Sequence, residues 1–85
     1  MFTAWVKNEE KEKEEAARHM SNETPYEVTM EDIQIEACTE NLTLFSAMVF
    51  RETVDGNTKF ATMTCTVYSN GSHKVEILME SDFPT

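Results

Sequence analysis

Residues 42–68 read LTLFSAMVFRETVDGNTKFATMTCTVY, two runs rich in β-branched and aromatic residues that flank Asp55-Gly56. Such runs favour β-strands. Asp-Gly is among the strongest signals for a two-residue hairpin turn, because both central residues of that turn need positive φ. We therefore expect two antiparallel strands, 42–54 and 58–68, joined at this turn.

Two further turn signals extend the hairpin into a meander. Glu40-Asn41 precedes the first strand of the hairpin, and Ser69-Asn70-Gly71 follows the second. Asn and Gly are typical turn residues, and a three-residue hairpin loop places Gly in the left-handed region. The sequence thus predicts four strands, over 26–38, 42–54, 58–68 and 73–80.

The N-terminal part of the chain is polar and predicts a helix over residues 8–20. Asn8 is a good N-cap, and Glu9 with Lys13 forms a favourable i,i+4 pair. Thr24-Pro25 lies beyond the expected end, where proline disfavours helix. The apolar stripe is thin (Ala16, Ala17 and Met20), so we expect a solvated helix resting lightly on the sheet; the alternative is an acidic arm for a basic partner.

The fold class that follows is α+β, in one domain spanning 1–85. An N-terminal charged helix packs on one face of a four-stranded antiparallel β-meander built from residues 26–80. Residues 2–7 either extend the helix or add an N-terminal edge strand, since Phe2, Ala4 and Val6 alternate. The sequence leaves that choice open.

The predicted turns also set the register, and the register assigns side chains to faces. A two-residue turn at Asp55-Gly56 places Phe50 opposite Ala61, and Met48 opposite Met63. The core face then collects Ile33, Ile35, Ala37, Leu44, Met48, Phe50, Ala61, Met63, Cys65, Val67, Val75, Ile77 and Met79. The helix should cover this face, together with Phe2, Trp5 and Val6.

The opposite face is the candidate binding surface. An apolar centre with a polar rim is typical of protein interfaces, whereas an ordinary solvent-facing sheet carries only scattered hydrophobic residues. We favour the interface because several large apolar side chains fall on adjacent strands. The predicted partner-binding residues are Asp32, Glu36, Phe45, Val49, Phe60, Thr62, Thr64, Tyr68, Glu76, Leu78 and Glu80.

Patterns that signal catalysis or cofactor binding are missing from the sequence. It has no Cys-x-x-Cys and no His-x-x-x-His, and its two glycines both fall in turn signals. We therefore expect no catalytic residue, no metal ligand set and no cofactor. Cys38 and Cys65 fall on opposite faces in the predicted register, which predicts two free thiols and suits a reducing cytosol.

Charge excludes two kinds of partner. Seven Lys and Arg against sixteen Asp and Glu give a net charge of −9, which opposes direct binding to nucleic acid or to an anionic membrane. Residues 1–7 do not read as a signal peptide, so we expect a cytoplasmic protein, in the host cell if it is viral. Three Asn-x-Ser/Thr sequons, at Asn22, Asn41 and Asn70, fit turns; they are also the best support for a secreted alternative.

In size and charge alone the chain resembles the small acidic proteins with which phages take over their hosts, among them inhibitors of nucleic-acid enzymes. This resemblance and the absent motifs predict a non-enzymatic inhibitor or adaptor, with DNA-mimic character, that docks on a basic partner protein. One alternative is a self-assembling structural protein, a homodimer or virion component, that uses the same face. Another is a small enzyme or small-molecule binder with a cavity between sheet and helix.

Overall fold

A computed structural model describes residues 9–52 and 58–83 of the 85-residue chain. It has one helix packed on a four-stranded antiparallel sheet of strand order β1-β2-β3-β4, which confirms the α+β meander. Residues 1–8, on which the helix start and the extra edge strand were predicted, lie outside this range. The elements are α1 (Glu9–Glu23), a 3₁₀ turn (Met30–Asp32), β1 (Ile33–Cys38), β2 (Leu42–Glu52), β3 (Thr58–Tyr68) and β4 (His73–Phe83).

The helix α1 runs three residues beyond its predicted end. The predicted ion pair between Glu9 and Lys13 is present, at 3.1 Å. At the other end, the Thr24 hydroxyl donates to the carbonyl of Met20 (2.7 Å), which satisfies one of the last helical carbonyls before Pro25 stops the helix. Among the described residues, no helix is both long and apolar enough to cross a membrane.

The segment after α1 is not the strand that the sequence predicted over 26–32. The Ser21 hydroxyl donates to the carbonyl of Val28 (3.0 Å) and accepts from the amide of Val28 (2.9 Å), which holds this segment against the helix. Tyr26 and Val28 are buried and belong to the core. Strand pairing therefore begins only at Ile33, after the 3₁₀ turn.

Two of the three predicted turns are confirmed. The amide of Thr39 donates to the carbonyl of Leu42 (2.8 Å), which leaves a two-residue loop at residues 40–41. Val67 lies opposite His73, as a three-residue loop at 69–71 requires. Gly71 has φ +94°, so its lack of a Cβ is what permits the turn.

The register between β2 and β3 differs from the prediction by one residue. Phe50 lies opposite Phe60, and Val49 lies opposite Ala61. The last pair is Glu52 with Thr58, so residues 53–57 lie between the strands. That is an odd number of residues, whereas a two-residue turn leaves an even number between any two paired residues. The turn residues themselves lie outside the described range.

This shift exchanges the two faces of β2. Phe45 and Val49 are each only 1% exposed and belong to the core, so their predicted place on the open face is wrong. Met48 and Phe50, predicted in the core, are 61% and 59% exposed. The physical reason is that β2 carries large apolar side chains on both faces, so its own pattern does not choose between them.

Each edge strand of the sheet, β1 and β4, contains a β-bulge that adjusts its register to the exchanged faces of β2. In β1 the extra residue is Glu36: Ile35 lies opposite Phe45, but Ala37 lies opposite Leu44. In β4 the extra residue is Leu78, between the pairs Met63–Ile77 and Thr62–Met79. A bulge reverses the side-chain alternation beyond it, so Ala37 and Met79 are exposed rather than in the core as predicted.

The core lies between α1 and one face of the sheet. It comprises Ala16, Ala17, Met20, Tyr26, Val28, Ile33, Phe45, Ala47, Val49, Ala61, Met63 and Cys65, with Ile35, Val67, Val75 and Ile77 packed at its border. The apolar stripe of α1 is therefore the one predicted. On the sheet side, β3 supplies the residues predicted for it, and β2 supplies the opposite set.

Substitutions at Phe45 and Phe50 distinguish the two registers. We expect Phe45→Ala to lower the free energy of unfolding by about 3–5 kcal/mol, because it leaves a cavity in the core. Phe50→Ala should cost less than about 1.5 kcal/mol, mainly through its edge-on contact with Phe60. Urea unfolding followed by circular dichroism measures both, with Phe45→Leu as a milder core variant. The reverse order of costs would favour the register predicted from Asp55-Gly56.

Candidate protein-binding face

The candidate site is the face of the sheet that points away from α1, called here the outer face. Register places its side chains in rows across the strands, and the row Met48–Thr62–Met79 lies next to the row Phe50–Phe60–Ser81. Leu78 lies beside them and is 61% exposed. These rows form an apolar cluster of Met48, Phe50, Phe60, Leu78 and Met79 at one end of the outer face.

Polar side chains occupy the middle of the outer face. The row next to the apolar cluster is Gln34–Ser46–Thr64–Glu76. The Ser46 hydroxyl donates to the Glu36 carboxylate (2.5 Å), which fixes the bulged residue over this row. Glu36 and Glu76 are both exposed, so the apolar cluster has carboxylates on its border.

A shallow depression of about 190 Å³ joins the two regions. Met48 and Leu78 line it on the apolar side, and Asp32 and Glu36 line it on the acidic side. Apolar walls next to carboxylates suit a Lys or Arg side chain, whose aliphatic stem packs on apolar surface while its charge pairs with an acid.

The structure places eight of the eleven predicted partner-binding residues on the outer face or along the depression at its border, with Tyr68 at the end of β3 away from the apolar cluster. They are Asp32, Glu36, Phe60, Thr62, Thr64, Tyr68, Glu76 and Leu78. Phe45 and Val49 lie in the core instead. The sequence interpretation missed Met48, Phe50 and Met79, and the two-sided apolar pattern of residues 42–50 was the only sign that they belonged here.

Two of the predicted acids, Asp32 and Glu80, make hydrogen bonds within the fold. Asp32 accepts a hydrogen bond from Arg51 Nη2 at 2.7 Å and others from the amide and hydroxyl of Thr29. Glu80 lies opposite Ala61, on the helix side of the sheet, because of the bulge at Leu78. There it accepts a hydrogen bond from the Tyr26 hydroxyl, so its predicted place on the open face is wrong.

Both cysteines are free, as predicted, but the argument from opposite faces is wrong. Cys38 lies opposite Thr43, whose side chain is buried on the helix side, and its Sγ lies 3.5 Å from Thr43 Oγ1. Cys65 is fully buried in the core. Burial raises the pKa of the Cys65 thiol from 9.0 to about 11, and the negative charge of Glu23 acts in the same direction.

The two thiols should differ in reactivity. The thiolate is the nucleophile, and at pH 8 a pKa of about 11 leaves only about 0.1% of Cys65 in that form. We expect Cys65 to react with a disulfide reagent at least about a hundredfold more slowly than the half-buried Cys38. Timed absorbance measurements on the folded chain check this, with the urea-unfolded chain as the control in which both react fast. A Cys38→Ser chain that still reacted at the fast rate would contradict the assignment.

Metal-ligand side chains meet at one place among residues 9–52 and 58–83, on the helix side of the molecule. The rings of His19 and His73 stack with centroids 3.7 Å apart, and His73 Nε2 donates to the Glu23 carboxylate. Burial lowers the pKa of His19 below its ordinary value, and the neighbouring His73 and Arg18 lower it further. The sequence analysis missed this cluster because it considered only ligand residues a few positions apart, and 50 residues separate Glu23 from His73.

Comparisons with known proteins give no further assignment. No protein-family model matches the chain, and searches of curated proteins and of solved structures gave no significant match. The functional argument therefore depends on the geometry of the chain itself.

Proposed function

We propose that this protein is a non-enzymatic, acidic protein-binding module, an inhibitor or adaptor that docks through its outer face on a basic partner protein. The observation that carries the proposal is the apolar cluster with Glu36 and Glu76 on its border. Met48, Phe50 and Leu78 are each more than half exposed. Large exposed apolar side chains that lie together on adjacent strands are typical of interaction sites.

Charge favours a basic partner over a second copy of this chain. With sixteen acidic against seven basic residues, two copies meeting face to face would bring like charges together. A partner rich in Lys and Arg would pair those carboxylates, and the depression between Met48 and Glu36 suits one such side chain. Self-assembly through the same face, as a homodimer or virion component, is therefore the second candidate.

The acids would act mainly on the rate of association. Carboxylates on the border of an interface attract a positively charged partner over a distance set by salt, while buried apolar contacts slow dissociation. If the partner is a nucleic-acid-binding protein of the phage host or of the same cell, these carboxylates would occupy the positions on that partner where the phosphates of nucleic acid bind. That would make the protein a DNA mimic acting in the cytoplasm, and not itself a ligand of nucleic acid.

Solution mass separates the two candidates. We expect a monomer near 9.8 kDa by size-exclusion chromatography with light scattering, at both low and moderate salt. A stable dimer near twice that mass would show that the protein self-associates. If Leu78→Lys then dissolved the dimer, the outer face would be the self-association surface and the assembly candidate would replace the inhibitor.

Matched variants test the face. The immobilised chain is used to capture proteins from an extract of the source or host cells, and the amount of each captured protein is compared between variants. Leu78→Lys should abolish capture of a specific basic partner, because it places a cation among apolar anchors. Glu14→Gln, an exposed site on α1 with the same change in charge, should capture as the unmodified chain does.

Substitution of the two acidic residues on the border tests the same captured partner independently, through its rates of association and dissociation. We expect Glu36→Gln with Glu76→Gln to slow association and to weaken its dependence on salt, with a smaller effect on dissociation. Surface plasmon resonance at two salt concentrations measures both rates.

The capture experiment has one outcome that contradicts the proposal. Equal capture by Leu78→Lys, Glu14→Gln and the unmodified chain would show that the outer face is not the binding site.

A further inference from the structure

The only two histidines of the chain meet beside a glutamate on the side of the molecule opposite the outer face. His19 and Glu23 lie four residues apart on α1, so their side chains project from the same side of the helix. His73 is the first residue of β4, and its register partner Val67 packs against the core under the helix. One nitrogen of each histidine and one oxygen of Glu23 all lie within 4.8 Å of one another.

This ligand set suits zinc. Imidazole nitrogen and carboxylate oxygen bind Zn²⁺ at about 2.0–2.2 Å in a tetrahedral arrangement, which requires ligand atoms about 3.3 Å apart. The present separations reach 4.8 Å at most, and none of the three side chains is fully buried. The two rings are stacked at 16°, so binding requires them to rotate out of the stack until both nitrogens face one ion. Three protein ligands leave the fourth position for water or an outside ligand, as in open zinc sites.

We propose that His19, Glu23 and His73 form a binding site for a divalent transition-metal ion, with Zn²⁺ as the ion that the three ligands fit best. The bound ion would join the C-terminal half of α1 to the start of β4. This site lies on the helix side of the sheet, opposite the outer face. The proposal is therefore independent of the proposed function, and the failure of one does not imply the failure of the other.

The fixed charges around the two histidines, that of the ligand Glu23 included, favour a cation on balance. Glu15 lies close enough to His19 to affect its electrostatics, and Glu23 supplies a second negative charge. Arg18 opposes them with one positive charge. The competing interpretation is a purely structural contact, in which His73 donates to Glu23 and the His19 ring covers it. That contact needs no ion and predicts no specific zinc affinity.

The test is zinc titration of the full-length chain without a histidine tag, by isothermal calorimetry. We expect one Zn²⁺ per chain, and we expect Glu23→Gln and His73→Asn each to weaken binding at least about tenfold, because each removes a ligand. Glu15→Gln is the matched control, since it makes the same change in charge one helical turn from His19 without removing a ligand. It should change the affinity by about twofold or less, and Cys38→Ser should leave it unchanged.

Cobalt gives a second readout that charge alone would not produce. Co²⁺ in this site should show the visible absorption bands of a protein-bound tetrahedral ion, and these should be lost in His19→Asn. Circular dichroism of each variant checks that it remains folded. No saturable zinc binding, or equal weakening by Glu15→Gln and Glu23→Gln, would overturn the proposal and leave the contact as structural.

Discussion

The pairing of β2 with β3 is the constraint on which the rest of this structure depends. It places Phe45 opposite Cys65 and Val49 opposite Ala61, and these four side chains form the centre of the core beneath α1. Because alternate side chains of a strand point to opposite faces, the same pairing turns Met48 and Phe50 toward solvent. One choice of register therefore fixes both the interior of the protein and the composition of its outer face.

The bulges in the edge strands β1 and β4 make these strands compatible with the register of β2 and β3. Without the extra residue at Glu36, Ile33 and Ala37 would share one face; with it, Ile33 stays under the helix while Ala37 turns outward. The extra residue at Leu78 does the same for β4, sending Met79 outward and Glu80 toward Tyr26. The bulges thus decide which acids lie on the outer face, as Glu36 does, and which lie on the helix side of the sheet, as Glu80 does.

Sequence reasoning could reach the helix, the four strands and two of the turns, because each depends on local signals. The apolar stripe of α1 and the alternation of β3 can be read in the chain itself, and apolar pairing across the Gly71 turn favoured its three-residue loop over a two-residue one. The faces of β2 cannot be read in this way, since Leu44, Met48 and Phe50 are as apolar as Phe45, Ala47 and Val49. A prediction that rested on turn length alone therefore exchanged them. Three of the eleven candidate site residues, Phe45, Val49 and Glu80, fell elsewhere as a result of register and of the bulge at Leu78. The meeting of His19, Glu23 and His73 depends on tertiary packing, which no short spacing reveals.

The two bulges have a further consequence, for the edges of the sheet. In the described part of the chain β1 and β4 are the edge strands, and edge strands with free backbone groups are templates for pairing with another chain. Each of these edges is interrupted by a bulge, β1 is only six residues long, and β4 carries Lys74 and Glu76 as exposed charges. Such interruptions discourage the strand-by-strand growth into fibrils that a chain this rich in β-formers would otherwise favour.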